Sequence, residues 1–220
     1  TVTFNALADG TYDNCTIAVT DNTSNTSDNL TVSEFTIGAI KPVLVQVKAV
    51  PNPTNDNTPD YTFFSTLSGT IGYGGSCSSN SNDNISKAMD NNTITFNTLA
   101  EGTYDNCTVR VTTNSNVVSD NLSVNSFKID TITPTLDEVT PVSTPYKDST
   151  PNYTFSSNET GTITYGGSCS SSDTSAKIDN NTITFIELAD GTYDNCTISV
   201  TDNSSNTSDN LSVSSFTIDT

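Results

Sequence analysis

The residues with chemistry to offer in this 220-residue chain are five cysteines and a set of recurring carboxylates. Asp9 and Asp13, Glu101 and Asp105, and Asp190 and Asp194 form pairs four residues apart. Two facing carboxylates are the equipment of a glycosidase. Each pair, however, brackets a Gly-Thr-Tyr turn, and the bracket occurs three times. A turn that every copy needs explains them better than a triplicated active site, so the chain reads as non-enzymatic. Histidine is absent, which removes the commonest general base and the commonest transition-metal ligand.

Charge narrows the partners. Seven Lys and Arg stand against 25 Asp and Glu, a formal charge of −18, so a surface that tracks phosphates is excluded and no nucleic-acid partner is expected. Hydrophobic residues are 32% and charged residues only 15%, the remainder being rich in Thr, Ser and Asn. That mixture suits β-strands with polar outer faces rather than a disordered polyanion. No apolar run is long enough to span a bilayer. The opening Thr1-Val2-Thr3-Phe4 carries no basic or apolar leader, so a signal peptide would lie outside this segment.

The elements that place these residues are repeated. Residues 1–38, 93–130 and 182–219 align without a gap, the first and third agreeing at 30 of 38 positions. The stretches 51–77 and 142–169 also match. A period near 90 is the size of a whole small domain, not of a solenoid turn. The expected units are a complete module at 39–130, another at 131–220, and the back half of a module at 1–38. An isolated back half leaves strand faces and edges bare, so 1–38 needs strands from a preceding stretch or from another chain.

In the third copy, strands are predicted over 134–140, 152–156, 161–165, 182–188, 192–201 and 211–218, with a weak one inside 170–181. Ile183 and Phe185, and Ile198 and Val200, alternate inward against outward Thr and Ser. Seven short strands with frequent turns predict an all-β, immunoglobulin-like Greek-key sandwich, repeated as an extended tandem array.

The run LADGTYxxCTxxVTDxSxNxS at 188–208, closed by SFTIDT at 215–220, resembles the bacterial immunoglobulin-like (Big-type) tandem repeats of large surface proteins and adhesins. TNDNTPDYTF at 54–63 and KDSTPNYTF at 147–155 resemble that family's first loop and second strand. The resemblance covers the chain three times. In a seven-strand sandwich the third strand ends where the sixth begins, and the two are neighbours. Cys77 and Cys169 close the third strand; Cys107 and Cys196 open the sixth. The expected disulfides are therefore Cys77–Cys107 and Cys169–Cys196, with the partner of Cys15 outside the segment. Two bridges imply an oxidising compartment. Two cysteines per copy without histidine are too few for zinc. Tyr12, Tyr104 and Tyr193, three residues before their cysteines, resemble a tyrosine corner shifted by one, and are read in preference as core-packing residues.

The acidic loops raise calcium, a hard cation that gathers carboxylate and carbonyl oxygens. The topology brings Asp56, Glu101 and Asp130 to the lower end of 39–130, and Glu159, Asp202 and Asp209 to the upper end of 131–220. An ion there would stiffen the joint, as linker calcium does in related bacterial repeats. Thr113 in place of the Asp at 21 and 202, and Gly38 in place of the Asp at 130, weaken the pattern; no cofactor is required. No lysine recurs at an early-strand position, so a crosslink to asparagine shared by every copy is not expected. Asn-x-Ser/Thr occurs fifteen times, as chance supplies in a chain of this composition.

The expected function is structural: a stalk or spacer segment of a large extracellular bacterial surface protein or adhesin, holding a distal binding domain away from the cell. Its partners would be neighbouring immunoglobulin-like modules, head to tail, or other copies of the chain. Two rivals remain: a subunit of an extracellular filament whose neighbours complete 1–38, and a glycan- or ligand-binding module. Tyr146 is the one aromatic outside predicted strands and turn corners that could serve the latter.

Overall fold

A computed structural model describes residues 1–8, 10–38, 40–80 and 84–220, all of them strand, turn or loop. The first copy holds β1 (Gly10–Tyr12), β2 (Thr16–Ile17), β3 (Leu30–Thr31) and β4 (Phe35–Ile37). The second holds β5 (Leu44–Lys48), β6 (Asp60–Ser65), β7 (Gly69–Gly74), β8 (Ile85–Ser86), β9 (Asp90–Thr95), β10 (Gly102–Tyr104), β11 (Thr108–Thr112), β12 (Leu122–Ser123) and β13 (Phe127–Ile129). In the third are β14 (Leu136–Thr140), β15 (Asn152–Ser157), β16 (Gly161–Gly166), β17 (Ser175–Ala176), β18 (Asp179–Thr184), β19 (Gly191–Tyr193), β20 (Thr197–Thr201), β21 (Leu211–Ser212) and β22 (Phe216–Ile218).

Every pairing is antiparallel apart from isolated bridges. In the third copy one sheet is ordered β14-β15-β18 and the other β17-β16-β20-β21, with β19-β22 as a separate ribbon; the second copy repeats this arrangement. Two sheets whose inner faces alternate apolar residues make a sandwich. Tyr153, Phe155, Ile183, Phe185, Ile198 and Val200 fill the third core, each almost fully buried. Tyr61, Phe63, Ile94, Phe96, Val109 and Val111 fill the second. The chain is thus an all-β tandem of immunoglobulin-like sandwiches. No helix among the described residues is long and apolar enough to cross a membrane.

Three strand predictions are corrected. The strand expected at 182–188 lies at Asp179–Thr184, because its partner β15 begins at Asn152, opposite Thr184. Beyond Thr184 the backbone bonds outside any ladder: the N–H groups of Phe185, Ile186 and Leu188 donate to the carbonyls of Pro151, Ser170 and Ser149. Phe185 and Leu188 stay buried without a ladder. The strand expected at 192–201 splits into β19 and β20, and that at 211–218 into β21 and β22. The break has a cause: the Ser214 backbone N–H donates to Glu138 Oε2 at 2.9 Å, so a side chain from β14 takes the place of a ladder partner.

The tyrosines before the cysteines do more than pack. Tyr193 stacks on Phe216 with centroids 5.3 Å apart, and its hydroxyl donates to the Ala189 carbonyl at 3.0 Å. Tyr104 donates likewise to Ala100, and Tyr12 to Ala8. Each is a tyrosine corner, pinning the turn onto the strand that follows.

Tyr61 lies at the centre of the second core, its hydroxyl buried with no hydrogen-bond partner. Burial pushes its pKa up to about 12, because the phenolate would have to be desolvated. The folded state then holds this proton more tightly than the unfolded one, whose tyrosine titrates near 10. Stability from this source is fully present below about pH 10 and is lost as pH rises toward 12. Tyr61→Phe is expected to flatten that alkaline loss in chemical denaturation of the second copy.

Candidate functional site

Among the described residues no group of His, Cys, Asp and Glu is arranged to hold a metal, and the notable constellation is the joint between the second and third copies. There the end of β13, the loop before β6, the β15–β16 turn and the β20–β21 loop converge on a cavity of about 420 Å³ lined by Lys128, Asp130, Ile132, Glu159, Asp202 and Ser204, among others.

The β20–β21 loop is built before it meets its neighbour. Asp202 Oδ1 accepts from the backbone N–H groups of Ser204 and Asn206, both at 2.8 Å, and Oδ2 accepts from Asn206 Nδ2 at 2.9 Å. An aspartate binding backbone a few residues on is the usual way such loops are closed. Ser205, at φ 71°, takes the left-handed step that the closure needs. Thus oriented, Asn206 Nδ2 also donates to the Asp130 carbonyl at 2.7 Å, and Asn55 Nδ2 donates to the Ser205 carbonyl at 3.3 Å. These are loop-to-end contacts. The connector is held too: the Thr131 N–H donates to Glu101 Oε1 at 2.8 Å, and the Thr131 hydroxyl donates to the same oxygen.

Three of the six carboxylates considered for calcium share the cavity: Asp130, Glu159 and Asp202. The others are elsewhere. Asp56 accepts from the Thr58 backbone and hydroxyl, Glu101 from Thr131, and Asp209 lines a different hollow beside Thr133 and Pro134. Within the cavity the cation place is taken by Lys128, whose Nζ lies 2.8 Å from Asp130 Oδ2. Its hydrogen bond holds the Asp130 carboxyl below the usual range and raises the lysine. Desolvation first, then repulsion from Asp130 and Asp202, raises Glu159. With Lys128 seated and both Asp202 oxygens committed, the donor set does not fit calcium without rearrangement.

The cysteines are paired as Cys77–Cys107 and Cys169–Cys196, each with Cα atoms 5.3 Å apart; Cys15 is free. The carboxylate that precedes each turn has a structural job: Asp190 accepts from the Thr220 N–H and hydroxyl as Glu101 does from Thr131. Asp9, its counterpart in the first copy, lies outside the described residues. Tyr146 is half-buried against the third core, its N–H donating to Thr217 and its carbonyl accepting from Asp219, so it is no exposed platform. The residue of the joint that sequence reasoning missed is Asn206; its signal was the Asp-x-x-x-Asn spacing shared with Asp21 and Asn25.

No protein-family model matches the sequence, and no curated protein matches it. Among solved structures, the fibronectin(III)-like modules of Clostridium thermocellum CbhA are similar at 11% identity and a TM-score of 0.41, over 80% of this chain and 93% of that chain. A likeness this distant carries no weight for function.

Proposed function

We propose that the chain is a spacer: a run of disulfide-stapled sandwiches joined end to end within a large extracellular bacterial surface protein or adhesin, holding a distal binding domain away from the cell. The observation that carries this reading is the joint, where Asn206 on one sandwich clasps the Asp130 carbonyl at the end of the last strand of another. A connector this short, followed by Pro134, leaves little slack for hinging. Stapled copies suit an oxidising, extracellular setting. The acidic surface keeps copies from collapsing onto one another. Length and stiffness need no active site, and this reading assigns the chain no catalysis.

Small-angle scattering on the intact chain tests it. Residues 39–220 should contribute two bricks in line, each about 40 Å long at ~3.3 Å per strand residue plus loops. Asn206→Val, which mimics Val117 at the aligned position of the second copy, should broaden the distribution of angles at the joint, leave the second copy's melting transition unchanged and lower the third copy's only by the loss of the Asn206–Asp202 bond. Millimolar calcium should leave the scattering unchanged while Lys128 holds the cavity. A compact particle, or an unaltered joint in the valine variant, would overturn the reading.

A further inference from the structure

We propose that the joint between the second and third copies is an acid-tightened latch, in which a proton taken up by the Glu159 carboxyl lets the two ends close. This deepens the spacer reading and rests on it, adding a condition under which the array stiffens. Three carboxylates, Asp130, Glu159 and Asp202, share the joint cavity with one ammonium, that of Lys128. Asp130 comes from the second copy, Glu159 and Asp202 from the third, so closing the joint brings like charges together. Of the three, Glu159 alone has nothing to offset it. Asp130 is held by Lys128, and Asp202 by Ser204 and Asn206. Among the described residues the Glu159 carboxylate takes no hydrogen bond or ion pair.

The turn holds Glu159 at the joint. Ser157, buried beneath it, donates its hydroxyl to the Glu159 carbonyl at 2.7 Å and accepts from the Glu159 N–H at 3.3 Å. Asn158 Oδ1 accepts from the Thr135 N–H at 2.7 Å, tying the turn to the strand before it. None of this calls for a carboxylate. In the second copy Ser65 makes the same hydroxyl-to-carbonyl bond at 2.6 Å to Leu67, the residue aligned with Glu159. Thr113 likewise stands where Asp202 does. Of the two complete copies, only the third carries this acid pair, and it is the one whose upper end meets Lys128 and Asp130.

The groups facing Glu159 set the sign. Asp130 and Lys128 come from the end of β13, Glu101 from the turn before β10, and Asp202 from the β20–β21 loop. Lys128 is the one attraction, but its Nζ lies 2.8 Å from Asp130 Oδ2, and a paired ammonium presents little net charge to a third group. What remains is lost hydration and repulsion, both of which a proton removes. Desolvation, then Asp130 and Asp202, accordingly raise the Glu159 carboxyl above its ordinary 4.5. Opening the joint restores water and takes away Asp130 and Glu101, which returns the group toward that ordinary value. The closed joint thus binds the proton more tightly than the open one. Its advantage is fully present below pH 4.5 and is lost as pH rises through the raised value. The hydrogen bond from Lys128 moves Asp130 the other way, so that ion pair outlasts the protonation of Glu159.

The test reads the joint in the intact chain by pulsed electron paramagnetic resonance between spin labels at Asn91→Cys and Asn180→Cys, with Cys15→Ser to keep the labelling specific. Asn91 and Asn180 are exposed and occupy aligned positions in the two copies. Lowering the pH from about 7.5 to about 4.5 should narrow the distribution of distances. Glu159→Gln should be narrow at both pH values, and so should Glu159→Leu, which copies the aligned Leu67. Lys128→Met should be broader at neutral pH and narrow at a higher pH than the parent, because Asp130 then repels Glu159 unopposed. An unchanged width in the parent, a widening in acid, or a pH response retained by Glu159→Gln would each overturn the latch and leave the spacer standing. A mean distance far shorter than one brick of ~40 Å would remove the spacer, and the latch with it.

Discussion

Gly167→Ala is expected to destabilise the third copy by about 2–5 kcal/mol, combining the left-handed backbone cost with overpacking. Gly167 sits at φ +73°, and an added Cβ would lie 2.0 Å from the Asn195 carbonyl oxygen. That neighbour is backbone, so no rotamer change relieves the clash. Nor can the two segments part easily. Gly166 pairs with Thr197 in the ladder, and the disulfide two residues beyond Gly167 ties Cys169 to Cys196. Asn195 Oδ1 also accepts from the Ser168 N–H at 3.1 Å, clamping the turn from inside. Gly75 repeats the geometry against Asn106 in the second copy, at φ +72° and 2.0 Å, so Gly75→Ala should cost the same. The control is Gly191→Ala: its φ is +153° but its Cβ would meet nothing within 4 Å, so only a smaller backbone cost remains. Urea denaturation of each variant measures the difference. Equal losses for Gly167 and Gly191 would show that conformation, and not the close approach, sets the requirement.

The same corner explains why much of the fold could be read from sequence. The strand count and turn spacing pointed to a sandwich whose third and sixth strands are neighbours, which in turn gave the cysteine pairing, and alternation at Ile183, Phe185, Ile198 and Val200 marked which faces were inward. What escaped were features decided by partners far along the chain. β18 starts at Asp179, through two asparagines, because Asn181 caps the Lys177 turn with its side-chain amide and tolerates burial there. Nothing local in Asp-Asn-Asn announces a strand. The break after β21 depends on Glu138, some 76 residues before the Ser214 that it binds. At the joint, the carboxylates that the topology brought to the facing ends suggested calcium, because carboxylates are visible in a sequence and their hydrogen-bond partners are not. Lys128 two residues before Asp130 was the overlooked cue, and in a strand that spacing puts both side chains on one face.

Removing either disulfide should lower stability by about 3.5 kcal/mol, a fall of roughly 15–30 °C in the melting temperature of that copy. The bridges add little to the folded state that the ladders do not already supply. β7 and β11 pair at five positions from Thr70 with Thr112 to Gly74 with Thr108, ending beside Cys77 and Cys107. The main action is on the unfolded chain, where each bridge removes a loop's freedom. The closed loops span 30 and 27 residues, and the chain-entropy dependence on length is logarithmic. The two copies should therefore lose nearly the same amount, differing by only ~0.1 kcal/mol. Cys169→Ala with Cys196→Ala, and Cys77→Ala with Cys107→Ala, avoid leaving a buried lone thiol or hydroxyl. Calorimetry of the two double variants separates the mechanisms. Equal shifts support constraint of the unfolded chain. Clearly unequal shifts would mean that each bridge acts through native packing, where Ile71 and Cys77 in one core and Ile163 and Cys169 in the other make the two cores alike but Gln46 and Glu138 make their rims differ.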